Sequence, residues 1–323
     1  MDSVTLLPGN CLDVLPALPA QSVHCVVTSP PYFGLRAYNG GEQEIGSEAT
    51  PDAYVARLVA VFREVWRVLR DDGTCWLNLG DSYAGSGNGS NDYRPEGASI
   101  SRHCGKYVGQ KPRSSLASKQ LLGIPWRVAF ALQADGWLLR SDIVWSKPNC
   151  MPESVKDRPT KAHEYVFLLS KQGRYYYDSD AIKEPAVNGE KYHGGQNDAS
   201  VLSRTRHRNG RSDDGNRTAT RNARSVWYIP TSPFSARSVG IDDLDHFAVM
   251  PPKLVEPCVL AGCPVGGVVL DPFCGAGTVG LVATQKGRRF IGIDLNARYL
   301  EIARRRIAWA QEQQPPLLRA TGD

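Results

Sequence analysis

The chain has 323 residues, 41% of them hydrophobic and 22% charged, enough for one large α/β domain or a domain with a smaller insert. Its net charge of +5 excludes little by size, but no apolar run approaches the ~18 residues of a membrane span, and the opening MDSVTLLPGNCLDVL lacks the basic start and long apolar core of a secretory signal. The eight cysteines hold no CxxC pair and no zinc-finger spacing, so we expect no metal and a reducing, cytoplasmic setting.

In chain order, VHCVV (23–27) is short, β-branched and followed by Ser29, Pro30 and Pro31, which predicts a buried parallel strand. The stretch TPDAYVARLVAVFREVWRVLRDDG (50–73) predicts a helix. Thr50 is its cap, Pro51 its first residue and Gly73 its stop, with Val55, Leu58, Val59, Phe62, Val65, Trp66 and Leu69 as the apolar face. TCWLNL (74–79) follows as a strand, and strand–helix–strand implies a right-handed crossover. Residues 84–120 are polar and aperiodic, which predicts a long loop. Strands are expected at SDIVW (141–145) and YVFLL (165–169).

Residues 183–225 are again polar and aperiodic, and 201–224 hold seven arginines against two aspartates, a local +5 that equals the excess of the whole chain. Such a segment suits a polyanion such as nucleic acid, or is a solvated loop. Order resumes at SVWYIP, then a helix near 251–262, the strand GVVLD (267–271), a glycine turn with a helix behind it, the strand RRFIGID (288–294) and a last helix from about 297. On that last helix Arg304, Arg305 and Arg306 read as surface charge. Alternating strands and helices predict a mostly parallel sheet covered on both faces.

In VVLDPFCGAGTVG, Gly275, Gly277 and Gly280 fit G-x-G-x-x-G, and Asp294 closes the next strand 19 residues after Gly275. Alone, this spacing permits an NAD-dependent oxidoreductase, or a glycine turn with no ligand. The acid and ring of DPFCG sit poorly against a pyrophosphate, and only 29 residues follow Asp294 in the chain. An acid there suits a ligand with an amino group and a ribose diol, such as S-adenosyl-L-methionine.

TSPPY (28–32) taken together with DPFCGAGT (271–278) resembles the paired motifs of the DNA amino-methyltransferases, in the order of their β group. GNCLDVL (9–15), WSKPN (145–149), KAHEYVFLLSKQGRYYYD (161–178) and HFAVMPPKLVEPCVLAGCP (246–264) are also similar to segments of that family. The resemblance implies a Rossmann-like, S-adenosyl-L-methionine-dependent methyltransferase fold. Its sheet would be mixed, mostly parallel and seven-stranded, and circularly permuted, with the catalytic half before the cofactor half. By this resemblance residues 1–182 are the catalytic half, 183–245 a target-recognition insert, 246–313 the cofactor half and 314–323 a tail.

The same resemblance assigns site residues. Ser29, Pro30, Pro31 and Tyr32 are catalytic: the Ser29 hydroxyl and Pro30 carbonyl accept from the amino group of an extruded base, and Tyr32 stacks on it. The two prolines stiffen the corner. Cofactor contacts fall to Asp271 and Gly275 at the methionine end, Gly277 at the turn, Asp294 at the ribose, and Asn10, Phe247, Phe273 and Thr278, the last as a ligand or a helix cap. Asn10 stands where the family more often has Asp. Arg204, Arg206, Arg208, Arg211, Arg217, Arg221 and Arg224 would contact double-stranded DNA. Serine at the head of the tetrapeptide leans to cytosine N4 over adenine N6. A cognate restriction endonuclease is an expected partner.

Overall fold

The computed structural model describes residues 3–34, 44–84, 116–185, 220–240 and 249–312. Among them, eight strands form one sheet in the order β1 (Val4–Pro8), β10 (Arg289–Asp294), β9 (Val268–Asp271), β2 (Val23–Thr28), β3 (Leu69–Leu79), β5 (His163–Ser170), β4 (Leu138–Ser146) and β8 (Val226–Tyr228). Only β5 runs against its neighbours. β6 (Glu184–Pro185) and β7 (Thr220–Arg221) make a separate two-stranded ribbon. The sheet is mixed and mostly parallel, as expected, but has eight strands where seven were expected. One of them, β8, belongs to the 183–245 stretch read as an insert, so that stretch contributes directly to the sheet.

Helices cover both faces. On one side lie the short α1 (Cys11–Val14), then α2 (Pro51–Val68) and α3 (Ile124–Ala134); on the other lie α4 (Pro252–Gly262), α5 (Thr278–Gln285) and α6 (Ala297–Glu312). Alternation along each strand divides the core between them. Val26 joins the first layer and its neighbours Cys25 and Val27 the second; Phe167 and Leu169 face one way and Leu168 the other. A strand apolar at every position is therefore the expected signature of this sheet, and VHCVV reads that way.

The α2 cap is as expected: Thr50 Oγ1 accepts from the Ala53 amide at 3.2 Å. Two features of that helix differ. It ends at Val68 rather than Gly73, because Leu69 is already extended and paired with Val23. The pairing then jumps from Val23↔Leu69 to Cys25↔Thr74, and Gly73 sits inside this irregular stretch, where a Cβ would lie 2.9 Å from the His24 carbonyl oxygen. The buried face is also rotated. Tyr54, Val61 and Val68 join Leu58, Phe62 and Val65 at the centre, while Val55, Val59 and Trp66 are only partly buried.

Sequence reasoning missed β1 and α3 altogether. β1 is a five-residue edge strand that gains its meaning from its parallel partner β10, with Val4 opposite Phe290 and Pro8 opposite Asp294. α3 begins at Gly123, which offers no side-chain cap. The cap is non-local: Asp81, just past β3, accepts from the Gly123 and Ile124 amides at 3.1 and 3.0 Å.

The helix behind the glycine turn lies close on the sheet because Gly280 has no side chain. A Cβ there would meet the Phe290 ring at 2.5 Å and Ile307 Cδ1 at 2.7 Å. Gly280→Val is expected to lower the urea unfolding free energy by about 1–3 kcal/mol through overpacking. An unchanged midpoint would show that α5 has room to move.

Candidate active site

Parallel strands end on the same side of a sheet, and clefts form there. β2 and β9 are neighbours, with Val26 opposite Leu270, so Thr28–Ser29 and Asp271–Pro272 emerge side by side. The contact is direct: Thr28 Oγ1 donates to Asp271 Oδ1 at 2.6 Å, across 243 residues of sequence. The two motifs read from the sequence therefore share one rim.

On the tetrapeptide side, Pro30 is buried and its carbonyl accepts no hydrogen bond from the described residues, whereas the Pro31 carbonyl takes the Tyr54 hydroxyl at 2.9 Å. A rigid corner with one oxygen tied down and the other unused is suited to holding an amino group. Tyr32 lies over Gly80, where a Cβ would come within 2.5 Å of its ring. The Tyr32 hydroxyl donates to Glu164 Oε2 at 2.7 Å, with Asn78 Oδ1 at 3.0 Å and the Ser29 hydroxyl at 3.4 Å. Burial first, and the Glu164 charge second, push its phenol well above the usual tyrosine range, so it stays a donor.

On the glycine side, Gly275 and Gly277 have φ of +50° and +73°, the left-handed region that glycine enters freely. Gly277 also touches α6, where a Cβ would lie 2.6 Å from Ala303 Cβ. Asp294 grips the turn: its Oδ2 accepts from Gly275 N and its Oδ1 from Asn296 N, both at 2.8 Å. Its carbonyl takes the Gly9 amide at 3.0 Å, which brings Asn10 beside it. Asn10 Oδ1 caps α1 by accepting from Leu12 N at 3.0 Å, so a contact with a cofactor's amino group would use its other lone pair.

Thr278 is not a helix cap. Gly277 occupies that position, and the Thr278 hydroxyl, 4% exposed, accepts from Arg306 at 2.8 Å. Arg306 is thus no surface charge: it is buried, donates also to the Ala276 carbonyl at 3.1 Å and lies 4.1 Å from the centre of the Phe234 ring. Arg304 and Arg305 do lie at the surface, paired with Glu301. Phe273 packs partly buried against the core while its amide donates to Asp271 Oδ1 at 3.0 Å.

Phe247 and Arg204, Arg206, Arg208, Arg211 and Arg217 lie outside the described residues. Arg221 and Arg224 are described, and both are engaged by one carboxylate, Glu184 Oε1, at 2.8 and 2.6 Å. Sequence reasoning assigned no role to Thr28, Asn78, Lys147, Glu164 or Arg306. Lys147 and Glu164 stood inside quoted stretches, but only the sheet shows that they meet.

The mostly parallel sheet thus sets an acid-flanked glycine turn beside a diproline corner at one edge of the strand ends. A family model described as a DNA methylase matches residues 23–305, and the chain belongs to that family. It is 44% identical to the type II methyltransferase M.Cfr9I of Citrobacter freundii over 95% of this chain and 88% of that protein. With M.XycI of Xanthomonas campestris pv. cyanopsidis the identity is 45%, over 94% and 87%. Among solved structures, the cytosine-N4-specific PvuII DNA methyltransferase superposes with a TM-score of 0.62 at 18% identity, covering 94% of this chain and 88% of that one. A putative DNA modification methylase of Thermus thermophilus, complexed with S-adenosyl-L-methionine, gives 0.54 at 22% identity, covering 96% and 95%. No helix among the described residues is long and apolar enough to cross a membrane.

Burial raises Asp271 from its ordinary 3.8 to about 7, against the opposing hydrogen bonds from Thr28 and Phe273. Its folded value exceeds its unfolded one, so the folded chain holds this proton more tightly. That contribution is full below pH 3.8 and is lost as pH rises through about 7. Asp271→Asn keeps the accepting oxygen and removes the titration. Urea unfolding between pH 4 and 8 is expected to show a shallower loss of stability in this variant than in the unaltered protein; parallel curves would refute the shift.

Proposed function

We propose that the chain is an S-adenosyl-L-methionine-dependent DNA methyltransferase that methylates the exocyclic N4 of cytosine in duplex DNA, as the modification enzyme of a type II restriction–modification pair. The observation that carries the reading is the Thr28–Asp271 hydrogen bond, which joins the diproline corner to the glycine turn. The donor and acceptor of a methyl transfer have to meet in line, and two rims joined at 2.6 Å make that geometry available. A serine at the head of the tetrapeptide supports cytosine over adenine. The oxidoreductase reading has only the glycine spacing behind it.

When bound, the cofactor supplies a methyl group on a sulfonium, already electrophilic. The chain's own residues orient the partners. The Pro30 carbonyl and Ser29 hydroxyl accept from the amino group and localise its lone pair as nitrogen becomes tetrahedral, and Tyr32 covers the extruded base. On the cofactor side, the Asp294 carboxylate, already fixed by two amides, would hold the ribose, and Asp271 and Gly275 would hold the methionine end. Gly277, Phe273, Thr278, Asn10 and Phe247 complete the cofactor side in this reading. The fit is chemical: two carboxylates and two left-handed glycines suit a ligand with an ammonium and a diol, and give a pyrophosphate little to hold.

Residues 1–182 would be the catalytic half, 183–245 the target-recognition region, 246–313 the cofactor half of a circularly permuted fold, and 314–323 a tail. Arg204, Arg206, Arg208, Arg211, Arg217, Arg221 and Arg224 would approach phosphates and base edges. Seven phosphate contacts correspond to a log–log salt slope of about −6 for duplex DNA. Arg221 and Arg224 each engage Glu184 through Nε, which leaves their terminal guanidinium nitrogens for such contacts.

Duplex DNA incubated with labelled cofactor and digested to nucleosides should yield N4-methylcytosine. N6-methyladenine would overturn the base assignment and keep the rest. Tyr32→Ala is expected to lower single-turnover methylation by about ten- to a hundred-fold, from the ~1–3 kcal/mol of one base–aromatic stack. Cofactor affinity should stay near normal, and its loss in step with activity would defeat this division of roles.

A further inference from the structure

The phenol of Tyr32 is held at its far end by a built polar cluster. Its single proton goes to the nearer and charged acceptor, Glu164 Oε2 at 2.7 Å. Asn78 flanks the same carboxylate, its Nδ2 donating to Glu164 Oε2 at 3.3 Å and to the Tyr165 carbonyl at 3.0 Å. The other carboxylate oxygen, Oε1, forms an ion pair with Lys147, and both side chains are largely buried. Lys147 in turn lies 4.3 Å from the centre of the Trp145 ring. Lys161, whose buried ammonium has no hydrogen-bond partner among the described residues, feels the Glu164 and Asp81 charges as well.

These anchors stand on the rigid sheet. Asn78 is on β3, Glu164 on β5 and Trp145 on β4, and their registers are fixed by Asn78↔Val166 and Trp145↔Glu164 pairs. The Tyr32 ring, by contrast, sits on the irregular segment after β2, against Gly80. A ring on a turn has torsional freedom about χ1 and χ2; a hydroxyl bonded to a fixed carboxylate removes it. Charge-assisted bonds of this kind are about twice as strong as neutral ones.

We infer that Glu164, itself fixed by Lys147 and Asn78, is a positioning residue that holds the Tyr32 ring in the orientation needed to receive the extruded base. This rests on the reading of Tyr32 as the base platform. In this reading Glu164 acts through the phenol.

The test is a double-mutant cycle on the full-length protein, read as the single-turnover methylation rate on duplex DNA with saturating cofactor. Tyr32→Phe keeps the ring and removes the tether. Both Tyr32→Phe and Glu164→Ala are expected to slow methylation by roughly ten-fold or more, the loss of a hydrogen bond to a charged group. Tyr32→Phe/Glu164→Ala should be no slower than the slower single variant, because one tether is lost only once. Glu164→Gln, whose amide oxygen can still accept from the phenol, should recover much of the rate at unchanged pH dependence. Cofactor affinity by calorimetry and thermal midpoints separate loss of positioning from loss of fold. Multiplicative effects in the double variant would overturn the inference, as would a Glu164→Gln variant as slow as Glu164→Ala with a displaced pH profile, which would make Glu164 a proton acceptor. Normal methylation by Tyr32→Ala would defeat the platform reading itself, whatever Glu164 does.

Discussion

One buried hydrogen bond, from Thr28 to Asp271, joins the two halves of the candidate site. It ties the ends of two adjacent parallel strands whose sequences lie at opposite ends of the chain. Without the sheet, neither motif has a partner: the diproline corner is a strand terminator and the glycine turn a strand–helix connection. Asp271 is buried, and burial lifts its carboxyl toward neutrality. A carboxyl poised near neutral pH is one whose charge a bound cation would strongly influence.

The two sides of the cleft are stiffened differently. On the glycine side, Asp294 accepts the Gly275 and Asn296 amides, and Arg306 reaches from α6 to the Ala276 carbonyl and the Thr278 hydroxyl. On the tetrapeptide side, Tyr54 from α2 holds the Pro31 carbonyl, and Glu164 and Asn78 from strands β5 and β3 hold Tyr32. Arg306 also lies over the Phe234 ring, which connects the glycine turn to the 229–240 region.

Most of the parallel core was legible because strands buried on both faces announce themselves as short apolar runs, as at 23–27 and 267–271. β1 was not, because an edge strand half covered by a helix carries little periodicity in five residues. α3 was hidden because its cap, Asp81, comes from the end of another strand rather than from its own N-terminus. The α2 endpoint failed for a similar reason: Leu69 prefers its pairing with Val23 to another helical turn. In the site, motif residues were visible and their supports were not. Glu164 and Lys147 become a pair only once β4 and β5 are placed side by side, and Arg306 looked like one of three surface arginines.

The placement of β1 has a consequence for how the molecule is made. Its sheet neighbour is β10, with Val4 opposite Phe290, so two strands far apart in the sequence have to find each other before this side of the sheet forms. Among the described strands this pairing spans the greatest sequence separation, and such non-local pairings carry the largest loop-closure cost and slow folding.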